Sequence, residues 1–180
     1  MLGGLFGRKR YERAGFELYT AAVRAARDPF YYTALGVPDT LDGRFDMVGA
    51  HVFLLIHRVH GVSKPGAELA QALFDAMFSD MDQSLREIGA SDMSLGKRVR
   101  AMWEAFNGRA TTYAAAIDAG DMEALATALA RNVWRGAGPD DNARKAAAVL
   151  LRQARHLASQ PMERLLAGQA SFLAAEPVPA

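Results

Sequence analysis

Along the 180 residues, apolar positions recur at intervals of three and four, and the alternation of a strand is almost absent. A first helix is predicted over about 9–27. At about 100° per residue, Tyr11, Leu18, Tyr19, Ala22, Val23 and Ala26 share one arc, with Arg10, Arg13, Arg24 and Arg27 opposite. Asp28 can cap a new start and Pro29 suits a first helical position, so a short helical piece carries Phe30, Tyr31 and Tyr32 and ends at Gly36. Asp39 or Thr40 then caps a helix over 41–60. Its stripe of Phe45, Val48, Val52, Leu55, Ile56 and Val59 is widened by Phe53 and Leu54, so it is expected to be the most buried element.

The periodicity predicts further helices over 66–89, 94–118, 121–135 and 141–158, and a last one opened by Pro161 and carrying Leu165, Leu166 and Phe172. Asp121 and Asp140 are in cap position for two of them. Val99, Trp103 and Phe106 share a helical stripe, which assigns Trp103 to the core. No repeat and no long linker divides the chain. The expected fold is all-α: a single bundle-like domain of six to eight helices over 10–174. Residues 1–9 are read as a flexible or peripheral segment and 175–180 as a loose tail.

Composition adds exclusions. The chain has no cysteine, which removes disulfides, thiolate metal sites and thiol nucleophiles. The formal charge is +1, so bulk charge draws in neither nucleic acid nor membrane. The charge is uneven, however. Residues 1–27 carry six Lys/Arg against two acids, and residues 28–96 carry four against ten. Faces of opposite sign are expected. The longest apolar runs, 52–56 and 146–151, fall far short of the roughly 18–20 residues that cross a bilayer. The first helix, preceded by Leu2, Leu5 and Phe6, could either pack on the bundle or lie on a membrane surface.

Candidate chemistry is sparse. His57 and His60 are three apart on one predicted helix, with His51 on another side, and a metal site would need more ligands from elsewhere. No HExxH, no paired Glu-x-x-His, no phosphate-cradling glycine loop and no Gly-x-Ser-x-Gly elbow is present. Neither enzymatic activity nor a cofactor is expected; a helix-bundle metal protein is the weaker alternative. Asp75, Asp80, Asp82 and Glu87 cluster on the 66–89 helix, with Asp82 and Arg86 spaced for an ion pair. They form either a solvated face or a protein-binding one.

Three ordered stretches are less generic: 35–47 (LGVPDTLDGRFDM), 72–89 (ALFDAMFSDMDQSLREIG) and 92–99 (DMSLGKRV), with Glu104–Arg109 and Tyr113 beyond. Together they resemble the ubiquinol–cytochrome c chaperone family over about 10–135. The resemblance implies an all-helical assembly chaperone for respiratory complex III that binds newly made cytochrome b, so the expected partner is cytochrome b or another respiratory-complex subunit. It also implies a possible small partner protein. Without the long presequence of mitochondrial relatives, the chain reads as a bacterial-type member. It is expected in the cytoplasm or peripherally at the cytoplasmic face of the inner membrane. The expected partner-binding residues are Arg44, Asp75, Asp80, Asp82, Arg86, Glu87, Asp92 and Arg109. The acidic row would meet client loops rich in Lys/Arg. Arg44 could instead pin the 36–46 loop, and Arg109 could be structural.

Overall fold

Four side chains close on the helix starts that the sequence assigns to them. Asp28 Oδ1 accepts from Phe30 N at 3.0 Å, Thr40 Oγ1 from Gly43 N at 3.2 Å, Asp121 Oδ1 from Ala124 N at 2.9 Å and Asp140 Oδ1 from Ala143 N at 2.8 Å. Each satisfies an amide that the helix itself leaves without a partner. The computed structural model describes residues 3–62, 64–89, 92–136 and 138–178, with side chains from 11 onward in the first helix and from 94 onward in the fifth.

Among the described residues there are eight helices and no strand. They are α1 (Gly3–Ala26), α2 (Pro29–Thr33), α3 (Leu41–His60), α4 (Lys64–Glu87), α5 (Asp92–Ala119), α6 (Met122–Asn132), α7 (Asp141–Ser159) and α8 (Met162–Leu166). Helix α3 is the hub, as its broad stripe predicts: eleven of its twenty residues are buried. It packs on α1, α4 and α7, while α6 and α7 pair with each other. Helix α5 joins the two sides, lying along α6 and more lightly on α4. Gly15 sets the distance between α1 and α4. A methyl group there would stand 2.7 Å from the Ala72 carbonyl carbon, so a side chain at this point would push the helices apart.

Three ends differ from the sequence expectation. Helix α1 already runs at Gly3, within the stretch read as a separate N-terminal segment. Helix α6 stops at Asn132 rather than 135, because Arg135 turns into the left-handed region (φ 57°) and Gly136 N returns to Ala130 O at 2.9 Å. Helix α8 stops at Leu166, well before Phe172. Gly168 takes φ 82°, its N–H returns to Leu165 O at 2.9 Å and the Gln169 N–H to Arg164 O at 2.8 Å. This double closure needs a left-handed residue, which glycine supplies without a Cβ clash. The chain beyond is extended. Ala175 N donates to Asp28 Oδ2 at 3.0 Å and Glu176 pairs with Arg152 at 3.1 Å, within the stretch read as a loose tail. Among the described residues no helix is long and apolar enough to cross a membrane.

Candidate interaction surface

The outward row of α4 lies between two shallow hollows. On the α1 side, a hollow of about 490 Å³ is lined by Glu12, Phe16, Asp75, Ser79 and Asp80 among others. On the α5 side, one of about 680 Å³ has an apolar floor of Phe78, Leu95, Val99 and Trp103, with Asp82, Arg86 and Arg100 at its edges. Each hollow exposes an aromatic side chain: Phe16 is 62% exposed and Trp103 48%. Most surface apolar groups are scattered singly, but here they flank one charged helix. Beneath them Phe74 meets Phe78 at a tilt and Phe106 edge-on, with ring centres 4.5 and 5.6 Å apart.

Trp103 was expected in the core and is not there. It lies at the margin of the α5 stripe, and α4 covers only one flank of that helix. Between residues 94 and 108, only Leu95 and Phe106 are buried. The first half of α5 is therefore a helix with little of its surface covered. The apolar arc of α1 behaves the other way: Tyr11, Leu18, Tyr19, Ala22 and Ala26 are buried in the bundle, which favours packing over a membrane role for that arc. The side chains of Leu2, Leu5 and Phe6 lie outside the described residues.

The acidic residues of α4 share this surface and already hold partners. Gln71 Nε2 donates to Asp75 Oδ1 at 2.8 Å, Gln83 Nε2 to Glu87 Oε1 at 3.0 Å, and Arg86 Nε to Asp82 Oδ2 at 2.7 Å. These partners are one helical turn away, and such pairs contribute only about 0.2–0.5 kcal/mol each. Asp80 is held differently: the Tyr19 hydroxyl of α1 donates to its Oδ2 at 2.6 Å. Burial, reinforced by that carboxylate, pushes the Tyr19 phenol well above its ordinary range. The side chain of Asp92 lies outside the described residues.

The two arginines have structural partners. Arg44 Nε donates to Asp39 Oδ1 at 2.6 Å, so it pins the loop before α3 through a carboxylate of the loop itself; both groups remain exposed. That pairing holds the Asp39 carboxyl below the usual carboxylate range. Arg109 of α5 bonds Asp46 of α3, and Arg135 Nη1 lies 2.9 Å from the other carboxylate oxygen as an ion pair outside hydrogen-bonding alignment. Asp46 is only 3% exposed, and burial lifts its carboxyl above the usual range against the pull of both guanidiniums. This cluster was not read from the sequence. Its signal was an aspartate on the inner side of an apolar helix, in line with Gly49, Ala50 and Phe53. Gly108 faces open space, so it marks no close helix contact.

The histidines are dispersed. His57 Nε2 meets Asp118 Oδ1 at 2.9 Å, His60 is exposed, and His51 is enclosed between Met47 O (2.8 Å) and the Tyr31 hydroxyl (3.2 Å). Burial drives the His51 imidazole down to about 4. Among the described residues, no three His, Asp or Glu side chains converge as metal ligands. What the α4 surface offers chemically is adhesion: aromatic side chains in shallow hollows beside carboxylates, some of them paired one turn along the helix.

Comparison with known proteins bears on this surface. The chain is 26% identical over 120 residues to ubiquinol-cytochrome-c reductase complex assembly factor 1 of Xenopus laevis, a match covering 67% of this chain and 60% of that protein's length. Its fold superposes on the crystal structure of the Cbp3 homolog from Brucella abortus with a TM-score of 0.82 and 37% identity, over 96% of this chain and 97% of that one. The sequence model described as ubiquinol-cytochrome C chaperone matches residues 33–172, from the end of α2 through Phe172 on the extended segment, and so takes in the acidic row of α4. The chain belongs to the ubiquinol-cytochrome C chaperone family.

Proposed function

We propose that this chain is an assembly chaperone for the ubiquinol–cytochrome c reductase complex, holding newly made cytochrome b on the outer face of α4. The observation that carries the reading is the placement of Phe16 and Trp103, both exposed, on either side of the Asp75, Asp82 and Glu87 row. Membership of the family supports it, as does similarity to the frog complex assembly factor. Loops of membrane proteins on the cytoplasmic side are rich in Lys and Arg. Such a loop can compete with the one-turn bonds from Gln71, Gln83 and Arg86, each of which is weak. Its apolar neighbours settle on Phe16 and Trp103. The hollows are open and shallow, so the grip is reversible, as handing a client onward requires. No bond of the client is made or broken.

Deleting the gene should lower both cytochrome b and the assembled complex, and the wild-type gene should restore them. A version with Asp75→Lys and Asp82→Lys should restore less. Normal amounts of assembled complex in the deletion strain would remove this reading.

A further inference from the structure

Residues 169–178 cross α7 as an extended segment with no neighbouring strand. Side chains take the place of that strand. Gln153 Nε2 donates to Leu173 O at 2.7 Å, and Leu173 N donates back to Gln153 Oε1 at 2.9 Å. Gln160 holds Ser171 in the same way, at 2.8 and 2.9 Å. Arg152 Nη2 donates to Ala174 O at 2.7 Å, and Asp28 Oδ2 accepts from Ala175 N at 3.0 Å. Six main-chain atoms are thus bonded by four side chains. An amide side chain that both donates to and accepts from one residue reads that residue's main-chain N–H and C=O, which every residue except proline presents in full.

The segment's own side chains contribute less. Phe172 enters the body and meets the His51 ring, centre to centre 5.5 Å. The Ser171 hydroxyl touches His156 at 3.1 Å and Glu176 meets Arg152 at 3.1 Å, both at the surface. Leu173, the other large apolar residue here, is left exposed. The recognition therefore amounts to an extended backbone plus one aromatic anchor. Gln153 lies on α7 and Gln160 just beyond its last residue, in extended backbone, and both are buried beneath the segment.

We propose that the surface formed by α7 and Gln160 just beyond it is a binding site for an extended polypeptide carrying one aromatic residue, and that residues 169–178 are its occupant in cis. The occupant satisfies the glutamines while no other peptide is present. It is tethered by the short turn at Ala167 and Gly168, so its local concentration is high and a peptide in trans must compete with it. The site recognises peptide backbone, whereas the α4 surface recognises charge and exposed aromatic groups; the inference holds whatever client α4 takes.

Hydrogen exchange on the wild-type full chain tests the first half. The Ser171 and Leu173 amides should exchange by local opening, at least about tenfold faster than buried α3 amides. Exchange of both sets at one global rate would overturn the proposal. A fluorescent peptide with the sequence of residues 168–178 tests the second half. It should bind full-length Phe172→Ala at least about tenfold more tightly than wild type, because that change removes the anchor of the cis segment. Adding Gln153→Ala and Gln160→Ala should abolish the gain. A second peptide that keeps the phenylalanine but has other non-proline neighbours should bind within about threefold of the first, since the contacts are to main chain. Equal affinity for wild type and Phe172→Ala, or failure of the second peptide, would overturn the proposal. Should Phe172→Ala not fold, Phe172→Leu takes its place in the same binding comparison, with the same outcomes.

Discussion

The body around α3 and the outer side of α4 and α5 use similar residues in opposite ways. In the body, polar groups pair across helices far apart in sequence: Asp46 with Arg109 and Arg135, His51 with Tyr31, and Arg58 with the Leu157 and Gln160 carbonyls. On the outer side, charges pair mainly one turn along their own helix, as Asp82 does with Arg86 and Arg100 with Glu104, while Phe16 and Trp103 face solvent. Breaking a pair around a buried group such as Asp46 strands its partner and is costly, whereas solvated one-turn pairs are weak and exchangeable. The same chemistry thus gives rigidity in one region and a replaceable set of contacts in the other.

The sharpest way to break this contrast is at Asp46. Asp46→Ala strands Arg109 in a mostly buried site and should lower unfolding free energy by about 3–5 kcal/mol. Trp103→Ala should stay within about 1 kcal/mol. Denaturant titrations of the two variants measure the difference, and equal losses would erase the distinction between the regions.

His51 comes next. Burial is the main cause of its depressed pKa of about 4, opposed by the Met47 carbonyl and the charge of Asp28. An unfolded histidine titrates near 6.5, so the unfolded chain takes up this proton first as pH falls. The stability contributed by neutral His51 is complete above about pH 6.5, declines on acidification and is gone below about 4, a change on the order of 3 kcal/mol. Denaturant titrations at pH 7, 5.5 and 4 should show a loss of unfolding free energy in wild type that is smaller in His51→Gln by that amount.

A smaller effect is expected at Gly15. Gly15→Ala forces a methyl group against the Ala72 backbone and should cost about 1–3 kcal/mol. A gain in thermal stability there would mean that α1 and α4 are less tightly apposed than they stand.

Much of the body is legible in the sequence, because local rules decide it. The caps at Asp28, Thr40, Asp121 and Asp140 depend on residues two or three apart, and the burial of α3 follows from its stripe. Asp46 meeting Arg109 is not legible in that way: 63 residues separate them, and only packing of α3 on α5 brings them together. The misplacement of Trp103 has a similar root. Helical spacing shows which residues share a face, and neighbouring elements decide whether the face is covered. The 169–178 segment escaped because its bonds run to glutamine side chains, which carry no periodic signal. Of the residues expected to bind a partner, Asp75, Asp82 and Glu87 share the α4 surface. Arg44 pairs within the loop before α3 and Arg109 with the buried Asp46.

Gripping of a client by the α4 surface is tested most directly by capture of newly synthesised cytochrome b from a translation extract. The tagged full chain would be compared with a variant carrying Phe16→Ser and Trp103→Ser, with melting temperatures measured in parallel. Loss of both exposed aromatic residues should reduce captured cytochrome b at least about tenfold while the melting temperature holds. Equal capture by two equally stable proteins would contradict the assignment of client binding to this face.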